Sequence, residues 1–327
     1  MIDCTDTLEP LTKPVGRFRD VRLAVLVPCH NEALSIAQVI KDFRRSLPEA
    51  EIFVYDNCSS DGTAEVARRA GATVRSEPVP GKGNVVRRMF SDVDADVYLL
   101  VDGDATYDAY AAPAMVNKLL EEGVDMVVGA RQDIFAEAHR RGHGLGNRLF
   151  NALFHRCFGR RFVDIFSGYR VFSRRFVKTF PAISSGFEIE TEMSFHAVQL
   201  RLPVAEMSTA YGKRIEGSAS KLRTFHDAFR ILRTFVRLLK EGRPAMFFLS
   251  IASAFALAAL VLGYPLLLTF LDTGLVPRLP TAVLATGLMI LAGMSMMCGL
   301  ILDNVTRGQL EQKRIAYLRI PRTEWPG

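Results

Sequence analysis

Short runs of β-branched and aliphatic residues alternate with longer stretches of helical periodicity over the first two thirds of the chain. Six strands are predicted, over 23–27, 51–55, 72–75, 97–101, 125–128 and 203–210. Between the first two runs, apolar residues recur at helical spacing, as at Ile36, Val39 and Phe43. This alternation is typical of an α/β domain with an open, mostly parallel sheet. Ligands of such sheets bind beyond the carboxyl ends of the strands, so the residues just after each run are the candidate site.

The last third of the chain contains two long stretches without a charged residue. They comprise residues 245–271 and 279–302 and are 27 and 24 residues long. At about 1.5 Å per residue, both exceed the ~20 residues needed to cross about 30 Å of hydrocarbon, so they predict two transmembrane helices. The seven-residue link 272–278 contains one Gly and one Pro, which predicts a tight antiparallel hairpin. A buried helical hairpin in a water-soluble core is the alternative.

The charge distribution also favours a membrane. Residues 213–243 carry nine Lys/Arg against three Asp/Glu, which equals the net charge of +6 for the whole chain. Within this segment, apolar residues repeat at three and four between arginines, which is typical of a helix on a bilayer surface; packing on the α/β domain is the alternative. Basic residues flank the two apolar stretches on their outer sides, so both termini are expected in the cytoplasm. This arrangement favours anionic lipid over nucleic acid as a partner.

Composition limits the class of protein further. The chain has 327 residues, of which 49% are hydrophobic and 23% charged, which excludes a disordered chain. Five cysteines without a CxxC pair indicate neither a disulfide framework nor a metal cluster, so a reducing compartment fits. Residues 1–10 contain acids and no apolar core, so a cleaved secretory signal is not expected. The predicted divisions are an N-terminal extension (1–20), the α/β domain (21–221), a basic interfacial helix (222–244), a two-helix membrane hairpin (245–303) and a cytoplasmic tail (304–327).

Two aspartates follow the most hydrophobic run of the α/β region. Asp102 and Asp104 flank Gly103, and Thr106 comes two residues later. Hard divalent cations prefer carboxylate oxygens and keep waters and substrate phosphates in the rest of their coordination shell. The pair therefore predicts a Mg²⁺ or Mn²⁺ site that binds a diphosphate and neutralises it as it leaves. A surface turn rich in Asp and Gly is the alternative.

Polar, turn-forming residues also follow the first two runs. Residues 28–32 are Pro-Cys-His-Asn-Glu, and Asp56 begins a second polar stretch after the next run. This is the position at which such a sheet would hold a nucleotide, and Asp56 can accept hydrogen bonds from a base or a ribose; capping of the next helix by Ser60 or Asp61 is the alternative for the second stretch. Neither a Walker P-loop nor a GxGxxG fingerprint is present, which argues against ATPases and dinucleotide-dependent enzymes. Lys82, in a Gly-Lys-Gly sequence, supplies a cation for a phosphate or belongs to a plain turn.

The order of these motifs resembles that of the family-2 glycosyltransferases, in residues 28–32, 56–63, 81–83 and 102–104. Later motifs resemble the polyprenyl-phosphate sugar transferases of that family, the dolichyl-phosphate mannose and glucose synthase group. They are Gly129-Ala130-Arg131, Asp164 with Ser167-Gly168-Tyr169-Arg170, residues 186–192, and Tyr211 with Arg214, Gly217, Ser220 and Lys221. The resemblance covers residues 21–222 and implies a GT-A-like, Rossmann-like fold. A tail with two membrane spans also occurs in many members of the group.

The resemblance implies roles for the matching positions. The nucleotide-sugar-binding positions are Pro28, Asn31, Glu32, Asp56, Lys82, Asp102, Gly103 and Lys221. The metal positions are Asp102, Asp104 and Thr106, with Asp104 as the principal ligand and Thr106 where related enzymes often have Gln. The positions for the acceptor phosphate are Arg131, Arg148 and Asn151. The catalytic positions are Asp104, Arg131, Arg214, Glu190 and Glu192. The two glutamates bind sugar hydroxyls or act as a base; solvent-facing helix charges are the alternative.

The implied activity is a metal-dependent, inverting transfer of a hexose or modified hexose from a nucleotide-diphosphate sugar to a polyprenyl phosphate at the cytoplasmic membrane face. UDP is favoured over GDP, and cell-envelope or glycan biosynthesis is the expected setting. A polyprenyl phosphate is an anion at neutral pH, so it attacks without a strong general base, and cations matter more than bases. The alternatives are transfer to a glycan or lipid hydroxyl, which needs a carboxylate base, and a non-catalytic nucleotide-sugar-binding scaffold. Association into a homo-oligomer through the hairpin stays open.

Overall fold

The computed structural model describes residues 18, 20–133, 155, 159, 162–186, 188–214, 233 and 236–323. The strands are β1 (Leu23–Cys29), β2 (Glu51–Asp56), β3 (Thr73–Ser76), β4 (Val97–Leu100), β5 (Met126–Asp133), β6 (Arg170–Ser173) and β7 (Val204–Tyr211). The helices are α1 (Ile36–Ser46), α2 (Thr63–Arg69), α3 (Lys82–Asp92), α4 (Ala112–Glu121), α5 (Arg174–Thr179), α6 (Ile189–Gln199), α7 (Pro244–Thr273) and α8 (Leu279–Leu318). The N-terminal extension and the predicted interfacial helix lie largely outside the described residues.

The strands form one sheet in the order β3-β2-β1-β4-β6-β5-β7. β1 pairs in parallel with β2 and β4, β2 with β3, and β5 with β7. β6 runs antiparallel to both of its neighbours, β4 and β5. The α/β class and the mostly parallel sheet predicted from the sequence are confirmed. β6 is an addition to the six predicted strands.

The apolar residues of the strands alternate between two buried clusters, one on each face of the sheet. Val25 of β1 and Leu99 of β4 pack with the apolar side of α1. Leu26 and Tyr98 are adjacent to them on the same strands, and their side chains are buried on the opposite face, with the apolar residues of α3. Each such side chain contributes about 1.5–3 kcal/mol when it is fully buried. Because helices cover both faces of the sheet, the polar loops lie where the strands begin and where they end. We call these the amino edge and the carboxyl edge of the sheet, after the direction of its parallel strands.

α7 and α8 are long and apolar enough to cross a membrane by length and composition. α7 ends at Thr273 and is capped by the next residue, Gly274, which has a left-handed φ of 72°. α8 does not end with its apolar part at residue 302 but continues through the polar residues to Leu318. The sequence therefore predicted the two apolar helices, while the predicted tail from 304 is helical over its first fifteen residues.

Candidate active site

The loops that follow β1, β2 and β4 meet at the carboxyl edge of the sheet. Each contains a non-glycine residue in the left-handed region: Asn31 with a φ of 53°, Cys58 with 59° and Ala105 with 58°. Such a conformation is uncommon outside glycine and asparagine, and it persists where surrounding contacts hold it. Asn31 shows one of these contacts, because its Oδ1 accepts a hydrogen bond of 2.8 Å from Ser60 N in the next loop. This hydrogen bond therefore joins the loops that follow β1 and β2.

Asp104 is a buried carboxylate directly beyond β4, 3% exposed. Its Oδ1 accepts a hydrogen bond of 2.6 Å from the Thr106 hydroxyl, and its Oδ2 lies 2.7 Å from Nη2 of Arg214. The structure thus brings three predicted site residues together. The hydroxyl group of Thr106, which was predicted as a metal ligand, donates this hydrogen bond to Asp104 and so orients the carboxylate.

Asp102 contacts a second cation. Its Oδ1 lies 2.5 Å from Nζ of Lys82, at the start of α3. The same Nζ lies 2.5 Å from Oε1 of Glu190, in the first turn of α6. Burial lowers the pKa of Lys82, but the two carboxylates outweigh burial and raise it above its ordinary value. Lys82 is therefore a permanent cation that joins α3 and α6 to the end of β4.

Glu190 is itself buried, at 3% exposure. Burial raises the pKa of this carboxyl group, and the nearby Lys82 ammonium opposes the rise. Within the described ranges its Oε2 has no hydrogen-bond partner. Glu192 differs, since its two carboxylate oxygens each accept a hydrogen bond of 2.8 Å, from the backbone N–H groups of Ile183 and Ser184. Only Glu190 of the two predicted glutamates lies with the charged cluster.

Gly168 closes the cluster from the segment before β6. A Cβ at this position would lie 2.6 Å from Oδ2 of Asp102 and 3.1 Å from Nζ of Lys82, so a larger residue would have to displace the ends of these two side chains. The Gly168 N–H donates a hydrogen bond of 2.9 Å to the Tyr107 hydroxyl. Burial raises the pKa of Tyr107, so this hydroxyl stays protonated at neutral pH. Gly168 and Tyr107 were not among the predicted site residues.

Arg131, near the end of β5, is held by Asp164. Its Nε and Nη2 lie 2.6 and 2.9 Å from the two carboxylate oxygens of Asp164, a bidentate pair. Its guanidinium also lies over the ring of Tyr211, 5.5 Å from the centroid. Burial raises the pKa of Asp164, but the Arg131 guanidinium outweighs it and holds this pKa below the usual range. Arg131 is therefore a fixed cation, oriented by a residue to which the sequence analysis gave no role.

The residues predicted to bind the nucleotide lie at the ends of β1 and β2 and in the loops that follow them. Asp56 is 8% exposed; its Oδ2 accepts from Ser59 N at 3.3 Å, and its Oδ1 has no hydrogen-bond partner in the described part of the chain. Pro28 is buried within β1, beside Tyr55 of β2. Glu32 N donates to the Thr63 hydroxyl at 2.9 Å. The free Oδ1 of Asp56 leaves one oriented acceptor for a ligand donor, while Pro28 and Glu32 shape the loop.

Asn57, which the sequence analysis did not single out, fixes the loop before Lys82. Its Nδ2 donates to the backbone oxygens of Glu77 and Val79 at 2.8 and 2.9 Å, and its Oδ1 accepts from Gly81 N at 2.7 Å. Gly103 packs against the neighbouring strand, and its carbonyl accepts from the Ser35 hydroxyl at 2.7 Å. The predicted residues Arg148, Asn151 and Lys221 lie outside the described residues.

The site has three cations that could contact a polyanion. Lys82, Arg131 and Arg214 all lie at the carboxyl edge, and each is paired with a carboxylate of the chain. Asp102 and Asp104 supply oxygen ligands of the kind that Mg²⁺ and Mn²⁺ prefer. Among the described residues, no group of three or more His, Cys, Asp or Glu side chains could hold a metal alone. A metal bound here would therefore need oxygens from its ligand.

Comparison with known proteins shows the family to which the chain belongs. Residues 24–180 match the family described as Glycosyl transferase family 2. Glycosyltransferase AglJ of Haloferax volcanii is 36% identical over 250 residues, which cover 76% of this chain and 81% of that protein. A dolichyl-phosphate hexose transferase of the same organism is 28% identical over 222 residues, 68% of this chain and 95% of that protein. The chain belongs to glycosyl transferase family 2.

A solved structure shares the fold. Glucosyl-3-phosphoglycerate synthase from Mycobacterium tuberculosis, in complex with Mn²⁺, UDP and glucosyl-3-phosphoglycerate, superimposes with a TM-score of 0.55. The two chains are 22% identical, and the match covers 68% of this chain and 80% of that one. The α/β region of this glycosyltransferase therefore has the GT-A-like fold that was expected from the sequence. The apolar helices α7 and α8 are its candidate membrane spans.

Proposed function

We propose that this glycosyltransferase transfers a hexose, or a modified hexose, from a nucleotide-diphosphate sugar to a polyprenyl phosphate at the cytoplasmic face of a membrane. The observation that carries the proposal is the cluster at the carboxyl edge. There, Asp102 and Asp104 lie with the cations Lys82 and Arg214, and Arg131 is fixed by its own carboxylate. Two anionic substrates need such cations, and a phosphate acceptor needs no strong base.

The donor side of the cluster suits a diphosphate bound with a divalent cation. Asp104 is buried and Asp102 is next to it on the same loop, so the chain offers two carboxylates and leaves the other positions to phosphate oxygens and water. Asp102, Asp104 and Thr106 would hold Mg²⁺ or Mn²⁺ in this proposal. The metal, when bound, neutralises the negative charge that develops on the leaving diphosphate. The name of the structural relative, bound to Mn²⁺ and UDP, supports this choice and favours a uridine donor.

The acceptor side is assigned to Arg131. A bidentate pair with Asp164 fixes its guanidinium in one orientation, so it offers its remaining N–H groups at a constant place. A lipid phosphate bound here would contact the Arg131 guanidinium, which is already in position and needs no reorganisation. Arg148 and Asn151 are proposed to complete this subsite. The dolichyl-phosphate hexose transferase among the relatives and the two apolar helices support a lipid-linked acceptor.

The proposed reaction is a single displacement. An acceptor phosphate oxygen forms a bond to the anomeric carbon while the bond from that carbon to the diphosphate oxygen breaks, and the electron pair leaves with the nucleoside diphosphate. The anomeric configuration inverts, so an α-linked donor gives a β-linked product. Arg214 and Lys82 move from Asp104 and Asp102 to the diphosphate, since a phosphate oxygen competes for the same donors. Substrate positioning and charge stabilisation supply the rate enhancement.

A second candidate, transfer to a glycan or lipid hydroxyl, rests on Glu190. Its pKa is raised by burial, and its Oε2 has no hydrogen-bond partner among the described residues, as a general base requires. Its other oxygen contacts Lys82, which lowers its basicity. We place this candidate second because the cations at the site outnumber its one available base.

The proposal includes the membrane topology and the division of the chain. The α/β domain is catalytic, residues 222–244 form an interfacial helix, and both termini are cytoplasmic. Association through α7 and α8 would form a homo-oligomer.

Isolated membranes containing the protein test the proposal with labelled UDP- and GDP-hexoses, short-chain polyprenyl phosphate, and Mn²⁺ or a chelator. We expect metal-dependent label in the lipid phase and a phosphosugar in its mass spectrum. Label found only in glycan would favour the hydroxyl acceptor. Nucleotide-sugar binding without turnover would favour a scaffold. Either result would refute the transfer to polyprenyl phosphate.

A further inference from the structure

The polar end of α8 lies on the α/β domain. α8 extends sixteen residues beyond the apolar stretch that ends at residue 302, a distance of about 24 Å at 1.5 Å per residue. Residues 313–323, which we call the C-terminal segment, then contact three parts of the domain. Arg314 donates to the Leu200 carbonyl at 2.8 Å, just after α6, and Arg322 donates to the Leu120 carbonyl of α4 at 3.3 Å.

The central contact of the C-terminal segment is Tyr317. Its hydroxyl donates a hydrogen bond of 2.7 Å to Oδ2 of Asp125, a fully buried carboxylate. The other oxygen of Asp125 accepts from Arg175 Nε at 2.5 Å and from the Ser173 hydroxyl at 2.7 Å. The Arg175 guanidinium also lies over the Tyr317 ring, 4.8 Å from its centroid. Hydrogen bonds to buried charged groups are among the strongest single contacts in proteins, so this contact is well suited to anchor a segment.

This contact lies at the edge of the sheet opposite to the candidate active site. Asp125 immediately precedes β5, and Asp96, whose carbonyl accepts from the Thr323 hydroxyl at 3.5 Å, immediately precedes β4. Both strands are antiparallel to β6, so they begin at the same edge. Arg131 is near the opposite end of β5. The C-terminal segment therefore contacts the amino edge of the sheet, where β4 and β5 begin.

The chain leaves the domain for α7 from the other edge. β7 is parallel to β5 and ends at Tyr211, and Arg214, three residues later, contacts Asp104. The domain is thus joined to the α7–α8 hairpin on two sides: the chain departs towards α7 at the carboxyl edge, where Arg214 contacts Asp104, and the C-terminal segment of α8 contacts the amino edge. A domain joined at one point can pivot about it, whereas attachment at two opposite edges fixes its angle.

We propose that the C-terminal segment is a brace that fixes the angle between the catalytic domain and the membrane hairpin, and that Tyr317 is its positioning residue. The brace keeps the carboxyl edge of the sheet at a constant height above the bilayer, where a lipid-linked phosphate would be presented. Its functional consequence rests on the proposed function, because only a membrane-embedded acceptor makes that height matter. The brace itself is a property of contacts between Tyr317, Asp125 and Arg175.

The test compares Tyr317→Phe with wild type, both reconstituted in nanodiscs that contain polyprenyl phosphate. Tyr264→Phe is the matched control, because Tyr264 is 64% exposed on α7 and has no side-chain hydrogen bond among the described residues. Amide hydrogen exchange over 313–323 is expected to be about 10-fold faster in Tyr317→Phe, as for the loss of a hydrogen bond to a buried charge. The KM for the lipid is expected to rise on the order of 10-fold, with the KM for nucleotide sugar unchanged.

Arg322→Ala serves as a second variant, because it weakens the same segment without touching the buried Asp125. Unchanged exchange in both variants would overturn the brace. Faster exchange with an unchanged KM for the lipid would overturn the positioning role and leave the segment a purely structural one. If the wild type makes no lipid-linked product from any donor, the proposed function fails, and the brace is then decided by hydrogen exchange alone.

Discussion

Two buried aspartates, at opposite edges of one sheet, have similar partners and different surroundings. Asp104 at the carboxyl edge accepts from a threonine hydroxyl and pairs with Arg214, and Asp125 at the amino edge accepts from a serine hydroxyl and pairs with Arg175. The Arg214 side chain is 33% exposed, whereas Asp125 is fully buried and receives a third donor from α8. We expect the first carboxylate to exchange its partner when a ligand binds and the second to keep its partners.

This difference in partners and burial distinguishes a carboxylate that can bind a ligand, Asp104, from one that stabilises the fold, Asp125. An exchangeable partner leaves the carboxylate ready for a metal or for the movement of Arg214 to a phosphate. A carboxylate with every donor supplied by the fold instead contributes to stability, because removing it leaves buried donors without a partner. Removing the carboxylate at the carboxyl edge should therefore lower turnover, and removing the one at the amino edge should lower the free energy of unfolding.

The largest expected effect is that of Asp104→Ala on turnover. We expect a loss of 1000-fold or more, on the order of 4 kcal/mol of transition-state stabilisation, because the metal and Arg214 lose their shared carboxylate. The free energy of unfolding should fall by no more than about 1 kcal/mol, since the partly exposed Arg214 can be hydrated. Initial rates and thermal unfolding in detergent measure both quantities. Normal turnover in this variant would remove the metal assignment.

Asp125→Asn should give the opposite result. The asparagine keeps the shape but removes the charge that holds Arg175 and Tyr317, so we expect a loss of about 3 kcal/mol in the free energy of unfolding. Thermal and denaturant unfolding of the purified full chain measure it. Asp42→Asn is the control, because the half-buried Asp42 carboxylate accepts hydrogen bonds from the neutral Gln38 amide one turn earlier on α1 and not from a cation. An unfolding midpoint equal to that of wild type would show that Asp125 is no anchor.

The architecture and the carboxyl-edge site could be predicted because they follow from local pattern. Buried runs mark parallel strands, and parallel strands bring their trailing residues to one edge, which is why residues after β1, β2 and β4 meet. β6 could not be predicted in this way. It has only two apolar residues, Val171 and Phe172, between Arg170 and Ser173, and its place between β4 and β5 is fixed by tertiary pairing.

The pairs that orient the site could not be predicted either. Arg131 pairs with Asp164, and Lys82 pairs with Glu190 as well as with Asp102; Asp164 and Glu190 lie far along the chain from the cations, in the segment before β6 and in α6. No spacing rule connects them, because the contacts depend on how α6 and the segment before β6 pack. The end of α8 was similarly missed, since the charges after residue 302 indicate where a membrane span ends and not where a helix ends.

Arg131→Ala is the next prediction, and it tests which substrate meets the fixed cation. We expect the apparent KM for polyprenyl phosphate to rise about 10- to 100-fold, while the KM for nucleotide sugar changes little, because a bidentate donor to phosphate is lost. Arg131→Lys is the matched control, since it keeps the charge and loses the fork that Asp164 orients. Steady-state kinetics with each substrate varied in turn measures the split. An effect confined to nucleotide sugar would reassign Arg131 to the donor.

The smallest expected effect concerns Asp164 and pH. Arg131 holds the pKa of this carboxyl group below its usual range in the folded protein, against the opposing effect of burial. A carboxyl group with a lowered folded pKa stabilises the protein above its unfolded pKa of about 3.9, and the contribution is lost as the pH falls through the lower, folded value. The difference in unfolding free energy between wild type and Asp164→Asn should therefore be constant from about pH 5 to 8 and shrink only below about pH 4. Chemical denaturation at a series of pH values measures it, and a difference that already shrinks near pH 6 would show that Asp164 is not held ionised by Arg131.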